Sequence, residues 1–241
     1  MKITVLGDIH GRQQWRKIIK NEIDSDLFIF LGDYVTTHES IPAEIQICNL
    51  TDILAFKEQN SDKVILLRGN HDLQMMGYYW AECSGYDKNV ARWFNNTENF
   101  ERFKNLTQWI YIDDNIKTVF SHAGISSVWL SETCDNIDIH KINNLDITEK
   151  FGFIPGNFTD YTGDSTTQPP VWIRPMALIR CMIPDYNQVV GHTPLDDITN
   201  LKSFLEKKVK YSINNDLWLC DTALKSYLVI DNGNFIPKKL I

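Results

Sequence analysis

The first third of the chain alternates short, wholly apolar runs with longer amphipathic ones. KITVL (2–6), LFIFL (27–31) and KVILL (63–67) read as strands, with helices between them over RQQWRKIIKNEI (12–23) and IPAEIQICNLTDILAFKEQ (41–59). A βαβαβ order whose strands are apolar on both faces predicts a parallel sheet covered by helices. The middle is less regular. NVARWF and NFERFKNL carry helical spacing, and WIYIDDNIKTVFS (109–121) reads as a hairpin turning at Asp113-Asp114-Asn115. Residues 151–172, rich in Gly, Pro, Ser and Thr, form the best loop candidate. Beyond them QVVGH (188–192), LWLCD, SYLVID and NFIPKKL read as strands. No internal repeat, low-complexity segment or linker divides the chain, which predicts one domain over 1–241.

Composition narrows the class of function. With 43% hydrophobic residues the chain can bury a sizeable core, and its net charge of -7 lacks the basic footprint of a nucleic-acid or membrane-surface binder. Cysteines 48, 83, 134, 181 and 220 are odd in number and never in a CxxC pair, which fits reduced thiols in a cytoplasmic protein. MKITVLGDIHG at the start is a strand entering a motif and not a secretory leader. No apolar run approaches the roughly 20 residues of a membrane helix.

The candidate chemistry lies where strands end. GDIHG (7–11), GDYV (32–35), GNHD (69–72), SHAG (121–124) and GHTP (191–194) share one form: an apolar strand, a glycine or small residue, then metal-type ligands. Taken singly, each is ordinary turn chemistry, with Asp capping a helix and Gly easing the bend. Five in one chain are a joint signal. In an open parallel sheet, ligands gather outside the carboxyl ends of the strands. The blocks would bring together Asp8, His10, Asp33, Asn70, His122 and His192. This mixed oxygen and imidazole set suits Mn, Fe, Zn or Ni and holds too much histidine for Ca or Mg alone. Asp8 and His10, two apart on an extended segment, would project to one side. A central carboxylate, Asp33, could bridge two metals about 3.5–4 Å apart.

In their order, GDIHG, GDYV, LLRGNHD, SHAG and GHTP resemble the calcineurin-like metallophosphoesterases, and within them the phosphoprotein-phosphatase branch with its small bacterial and bacteriophage lambda-type phosphatases and diadenosine tetraphosphatases. The resemblance runs from about residue 1 to 232 and takes in VWIRP (171–175) and CDTAL (220–224). It implies an α/β fold, a β-sandwich of two mixed sheets flanked by helices in four αββα layers, with a dinuclear site at the sheet edge. Asp8, His10 and Asp33 would ligate one divalent ion, and Asp33, Asn70, His122 and His192 the other, with Mn the leading candidate.

The same resemblance implies in-line attack on a phosphomonoester by a metal-bridging hydroxide. Arg68 and Arg174 match the family's phosphate clamps, His71 its general acid, and Asp72 a support for the loop. Wider relatives carry GHxH, where this chain has Pro194 at the second histidine, and this favours monoesters over diesters. GDYVDRG usually opens the second block in the phosphatase branch. Thr36 and Thr37 replace its Asp, which pairs with the acid histidine, and its Arg, which holds phosphate, so that a sequence-distant acid such as Glu39 or Asp72 could serve His71. A phosphoprotein, a nucleotide or a small phosphoester would fit as substrate. Two other readings stay open: a dinucleoside tetraphosphate hydrolase, and a metal-binding regulatory protein with little turnover.

Overall fold

In the computed structural model, which describes residues 1–37, 39–155, 164–208 and 214–241, the three N-terminal apolar runs become β1 (Lys2–Leu6), β2 (Leu27–Phe30) and β3 (Val64–Leu66). They pair in parallel, Ile3 opposite Leu27 and Phe28 opposite Val64. The hairpin expected at 109–121 is β4 (Ile110–Asp113) and β5 (Thr118–Ser121). Its turn is fastened by Asp113 Oδ1, which accepts from the Asn115 and Ile116 N–H groups. The tail supplies β6 (Asn187–Val190), β7 (Thr199–Asn200), β8 (Leu217–Leu219), β9 (Ser226–Asp231) and β10 (Asn234–Lys239).

Two mixed sheets result, ordered β10-β9-β1-β2-β3 and β4-β5-β6-β8-β7. The pleat sorts their side chains into layers. Ile3, Val5, Ile29 and Leu31 share one buried cluster with Phe120 and Val189 of the second sheet. Leu6, Phe28 and Phe30 instead pack with Ile18 of α1 (Trp15–Asn21) and Leu50, Ile53 and Leu54 of α2 (Ala43–Gln59). Val190 and Leu219 pack with residues of two further helices. The four layers are therefore helix, sheet, sheet, helix, as the resemblance implies.

Helix α1 is shorter than the 12–23 expected from its spacing. Residues 12–14 are drawn into a turn, in which the Arg12 N–H bonds back to Ile9 O, and at the other end Glu22 leaves the helix to meet Tyr227 and two lysines. The helical stretches after β3 are α3 (Asn70–Met75), α4 (Lys88–Phe94) and α5 (Thr97–Leu106). Tyr78 and Trp80 pack on the core below them, while Tyr79 stays exposed. Part of the 151–172 loop, residues 156–163, lies outside the described residues. No described helix is long and apolar enough to cross a membrane.

β1, β2 and β3 run in parallel, as do β5, β6 and β8. The blocks following the first five of these strands meet at one edge of the sandwich.

Candidate metal centre

The carboxylate of Asp33 lies in the middle of that edge. It leaves β2 through Gly32 and sits at φ 52°, in the left-handed region. Its Oδ1 accepts the His71 N–H at 3.0 Å, and its Oδ2 lies 3.8 Å from His10 Nε2 and 3.3 Å from His122 Nε2. One oxygen thus lies within 4 Å of two imidazoles. The ligand atoms of His10, Asp33 and His71 lie within 4.8 Å of one another, and so do those of Asp33, His122 and His192.

The His10, His122 and His192 rings are each aimed by a carbonyl on the far nitrogen. His122 Nδ1 bonds Leu31 O at 2.8 Å, so Nε2 faces Asn70 Oδ1 (3.0 Å) and His192 Nδ1 (3.2 Å). His192 Nε2 bonds Trp172 O at 3.1 Å, and His10 Nδ1 bonds Thr36 O at 2.6 Å. Such outer partners fix the tautomer and ring orientation of metal-binding histidines. Asp8 accepts the His192 N–H with both oxygens, which ties the end of β1 to the end of β6. Its Oδ2 lies 3.9 Å from His10 Nε2. That approach does not come from an extended segment, because His10 takes φ 46° and Gly11 φ 74°. A turn, and not the pleat, folds His10 back beside Asp8.

Two glycines make the carboxylates' positions possible. A Cβ on Gly69 would collide with Asp33 Oδ1, and one on Gly191 with Asp8 Oδ1. His192 is likewise at φ 62°, so Asp33, His10 and His192 are all held in sparsely populated backbone. Strain of this kind persists only where surrounding structure over-determines it, and it gathers at functional sites.

The electrostatics call for cations. Asp8, Asp33, Asp72 and Asp221 are each under 5% exposed. Burial and the nearby charge of Asp221 push the Asp8 carboxyl well above its usual range. Burial and Asp33 push Asp72 up to about 7, and burial also raises Asp221. Asp33 is the exception: burial acts upward, but His122, His71 and His10 outweigh it and hold the carboxyl well below its ordinary value. His122, against the pull of burial, is pushed up to about 10 by Asp33 and Asp8. Burial, aided by the Arg174 charge, holds His192 neutral, which is the metal-binding form. Desolvated carboxylates facing imidazole lone pairs fit a pair of divalent ions. Asp8, His10, Asp33, Asn70, His122 and His192 all converge here.

The other expected residues divide. Asp72 accepts the N–H groups of Asp33, Tyr34 and Gly69, so it braces the loop. Glu39 pairs with Arg12. The partner of His71 Nδ1 is the Thr36 hydroxyl at 2.7 Å, with Cys83 Sγ at 3.5 Å. Arg174 Nη1 donates to His192 O and Thr193 Oγ1, which keeps its guanidinium beside the ligands.

Arg68 departs from expectation. Its guanidinium donates to Thr107 Oγ1 (2.8 Å), Lys104 O (2.5 Å) and Thr107 O (2.6 Å), and lies 4.8 Å over the Trp109 ring. It is 7% exposed and serves the end of α5, so this geometry assigns it a structural role and not that of a clamp. Asp221 was not singled out from the sequence. It follows the apolar LWLC run of β8 just as Asp8 follows β1, and that pattern was the signal available.

Residues 1–200 match the family of calcineurin-like phosphoesterases, and the chain belongs to it. Divalent metal ions are what this family's site implies. Among curated relatives, a serine/threonine-protein phosphatase, ppe1, of Schizosaccharomyces pombe is 32% identical over 133 residues, which are 52% of this chain and 39% of that protein. The chain thus spans well under half the length of that relative. Solved structures of a cold-active protein-tyrosine phosphatase of a psychrophilic Shewanella species and of a protein serine/threonine phosphatase of Saccharomyces cerevisiae share the fold, with TM-scores of 0.64 and 0.60. They are 17% and 16% identical, and each alignment covers 99% of this chain and 77% and 79% of theirs.

Proposed function

We propose that the chain is a dinuclear, metal-dependent phosphomonoesterase of the phosphoprotein-phosphatase type, with Mn as its leading metal. The observation that carries this reading is the Asp33 carboxylate, one oxygen of which lies within 4 Å of both His10 and His122. Asp8, His10 and Asp33 would hold one ion, and Asp33, Asn70, His122 and His192 the other. When bound, the two cations supply Lewis acidity and an activated water near neutral pH. The residues around them do the rest. Arg174, kept beside His192 by its bond to the backbone, donates to the phosphoryl oxygens. His71, turned by Thr36, protonates the leaving oxygen. Pro194 stands where wider relatives carry a further histidine, and fewer protein ligands there would favour a dianionic monoester.

The test is hydrolysis of p-nitrophenyl phosphate, bis-p-nitrophenyl phosphate and diadenosine tetraphosphate by Mn-loaded protein. The expected order places the monoester first by kcat/KM, with activity lost on chelation and restored by Mn. A higher kcat/KM for the diester, or full activity under excess chelator, overturns the reading.

A further inference from the structure

Arg12 follows the GDIHG block directly, and its guanidinium carries a buried nitrogen with no protein partner among the described residues. Its Nε and Nη2 both contact Glu39 Oε1 at 2.8 Å, so Glu39 occupies one edge of the planar group. Nη1 is buried and has no hydrogen-bond partner among the described residues, and the side chain is only 13% exposed. Buried charged donors are almost always satisfied, so one left over points to an absent acceptor. Arg68 offers the contrast, because among the described residues none of its nitrogens is both buried and without a partner.

The surroundings say what acceptor fits. Arg12 lines a cavity of about 570 Å³ together with His10, His71, Thr36 and Thr37. The cavity is the mouth of the metal centre. Lys225 adds a second cation to its wall, while Glu39, Asp196 and Asp221 supply the acids. Thr37 stands where the resemblance placed a phosphate-holding arginine, and its hydroxyl accepts the Glu39 N–H at 2.9 Å. The stretch that lost a guanidinium therefore now carries the carboxylate that holds one. A guanidinium edge suits paired phosphoryl oxygens, which it meets with two parallel hydrogen bonds.

We propose that Arg12 is the second phosphate-binding arginine of this site, supplied from the β1–α1 turn and held in position by Glu39. This rests on the phosphomonoesterase reading, in which the cavity receives a phosphoryl group. Glu39 neutralises the guanidinium on one side and restricts its rotamers, leaving Nη1 without a protein acceptor and available to a phosphoryl oxygen.

Two measurements on the Mn-loaded full chain separate this proposal from the reading beneath it. Calorimetric binding of inorganic phosphate needs no turnover, and steady-state hydrolysis of p-nitrophenyl phosphate reports the reaction. Arg12→Gln is expected to raise both the phosphate Kd and the KM roughly ten- to a hundredfold, with bound Mn unchanged and kcat less affected than KM. Arg12→Lys should recover part of that loss, and Glu39→Gln should weaken phosphate severalfold by releasing the guanidinium. An Arg12→Gln protein that folds, holds Mn and binds phosphate with the wild-type Kd overturns the proposal and leaves Arg12 a strut for Glu39. So does a Mn-loaded wild type that binds no phosphate. Should Arg12→Gln fail to fold, Arg12→Lys decides, since an unchanged phosphate Kd there is equally fatal. Phosphate binding that depends on Arg12 in a protein that hydrolyses none of the esters would sink the enzymatic reading while the binding site stands.

Discussion

Thr36 touches both imidazoles that face the cavity, His10 through its carbonyl and His71 through its hydroxyl. It does so at φ 63°, a region that costs a β-branched residue dearly. Aspartate and asparagine tolerate that backbone better, and aspartate would also place a negative charge on His71 Nδ1. A carboxylate favours imidazolium, so Thr36→Asp should move the alkaline limb of the kcat profile upward by about one pH unit. It should help alkyl phosphates more than aryl ones, whose leaving groups need little protonation. Thr36→Asn relieves the same backbone strain without charge, and should leave the limb in place. A limb that moves equally in both variants assigns the effect to strain and not to charge. Asp33→Asn removes half of the shared carboxylate, and should cut metal content on both sides and lower kcat/KM by more than about a hundredfold, the upper range for losing a mere outer-shell partner. Wild-type metal stoichiometry in that variant would contradict the bridging role. The six proposed ligands are legible in the sequence because each follows an apolar strand end and five such blocks in one chain form a joint signal. Arg68 misleads because spacing does not say on which side of a strand end a side chain leaves. Thr36 as partner to His71 has no pattern at all, since a hydroxyl bonding across 35 residues leaves no periodic trace.

At the scale of elements, the parallel strands and the helices of the first third follow from apolar runs with few alternatives. The second sheet is less legible. β4, β5, β6 and β8 are each visible as runs, yet their order β4-β5-β6-β8-β7 depends on which short strands meet across long connections. Helix α1 falls short at both ends because Arg12 and Glu22, good helix formers by composition, are taken by tertiary partners. The strand-end glycines are where local geometry and site chemistry meet. Gly191 gives Asp8 the space to accept two bonds from one N–H, and a methyl group there meets the carboxylate directly. Gly191→Ala should therefore lower stability by roughly 1–3 kcal/mol, the ordinary cost of overpacking. Bound metal should also fall, because Asp8 and His192 must move apart. An alanine variant with native melting temperature and full metal would show that the β6 corner yields without cost.

Across the whole molecule, the edge of the first sheet is fastened by a second group of charges. Glu22, 3% exposed, accepts from Tyr227 OH at 2.9 Å and lies 2.9 Å from Lys2 Nζ and 2.7 Å from Lys238 Nζ. Burial alone would raise its pKa, but the bonds from Lys238, Lys2 and Tyr227 together hold it below the ordinary 4.5. The folded carboxyl thus binds its proton less readily than the unfolded one. Its contribution is complete above pH 4.5 and is lost as pH falls through that value and below. Glu22→Gln should cost roughly 1–3 kcal/mol at neutral pH, and the difference from wild type should narrow on acidification. A gap that stays constant from pH 7 to about 3 would contradict the linkage. The spread of the metal ligands has a thermodynamic corollary. Asp8 and His192 are 184 residues apart, and in an unfolded chain they are strangers. The ligands proposed for the second ion run from Asp33 to His192, so affinity for it would exist only in the native ensemble, and mass action would turn that bound cation into a clamp across four strand ends. The unfolding midpoint should climb as free Mn is raised, by about 2.7 kcal/mol of added stability at a hundred times the dissociation constant. With six contributors on five separate strand ends, the metal titration doubles as an assay of whether the sheets have come together.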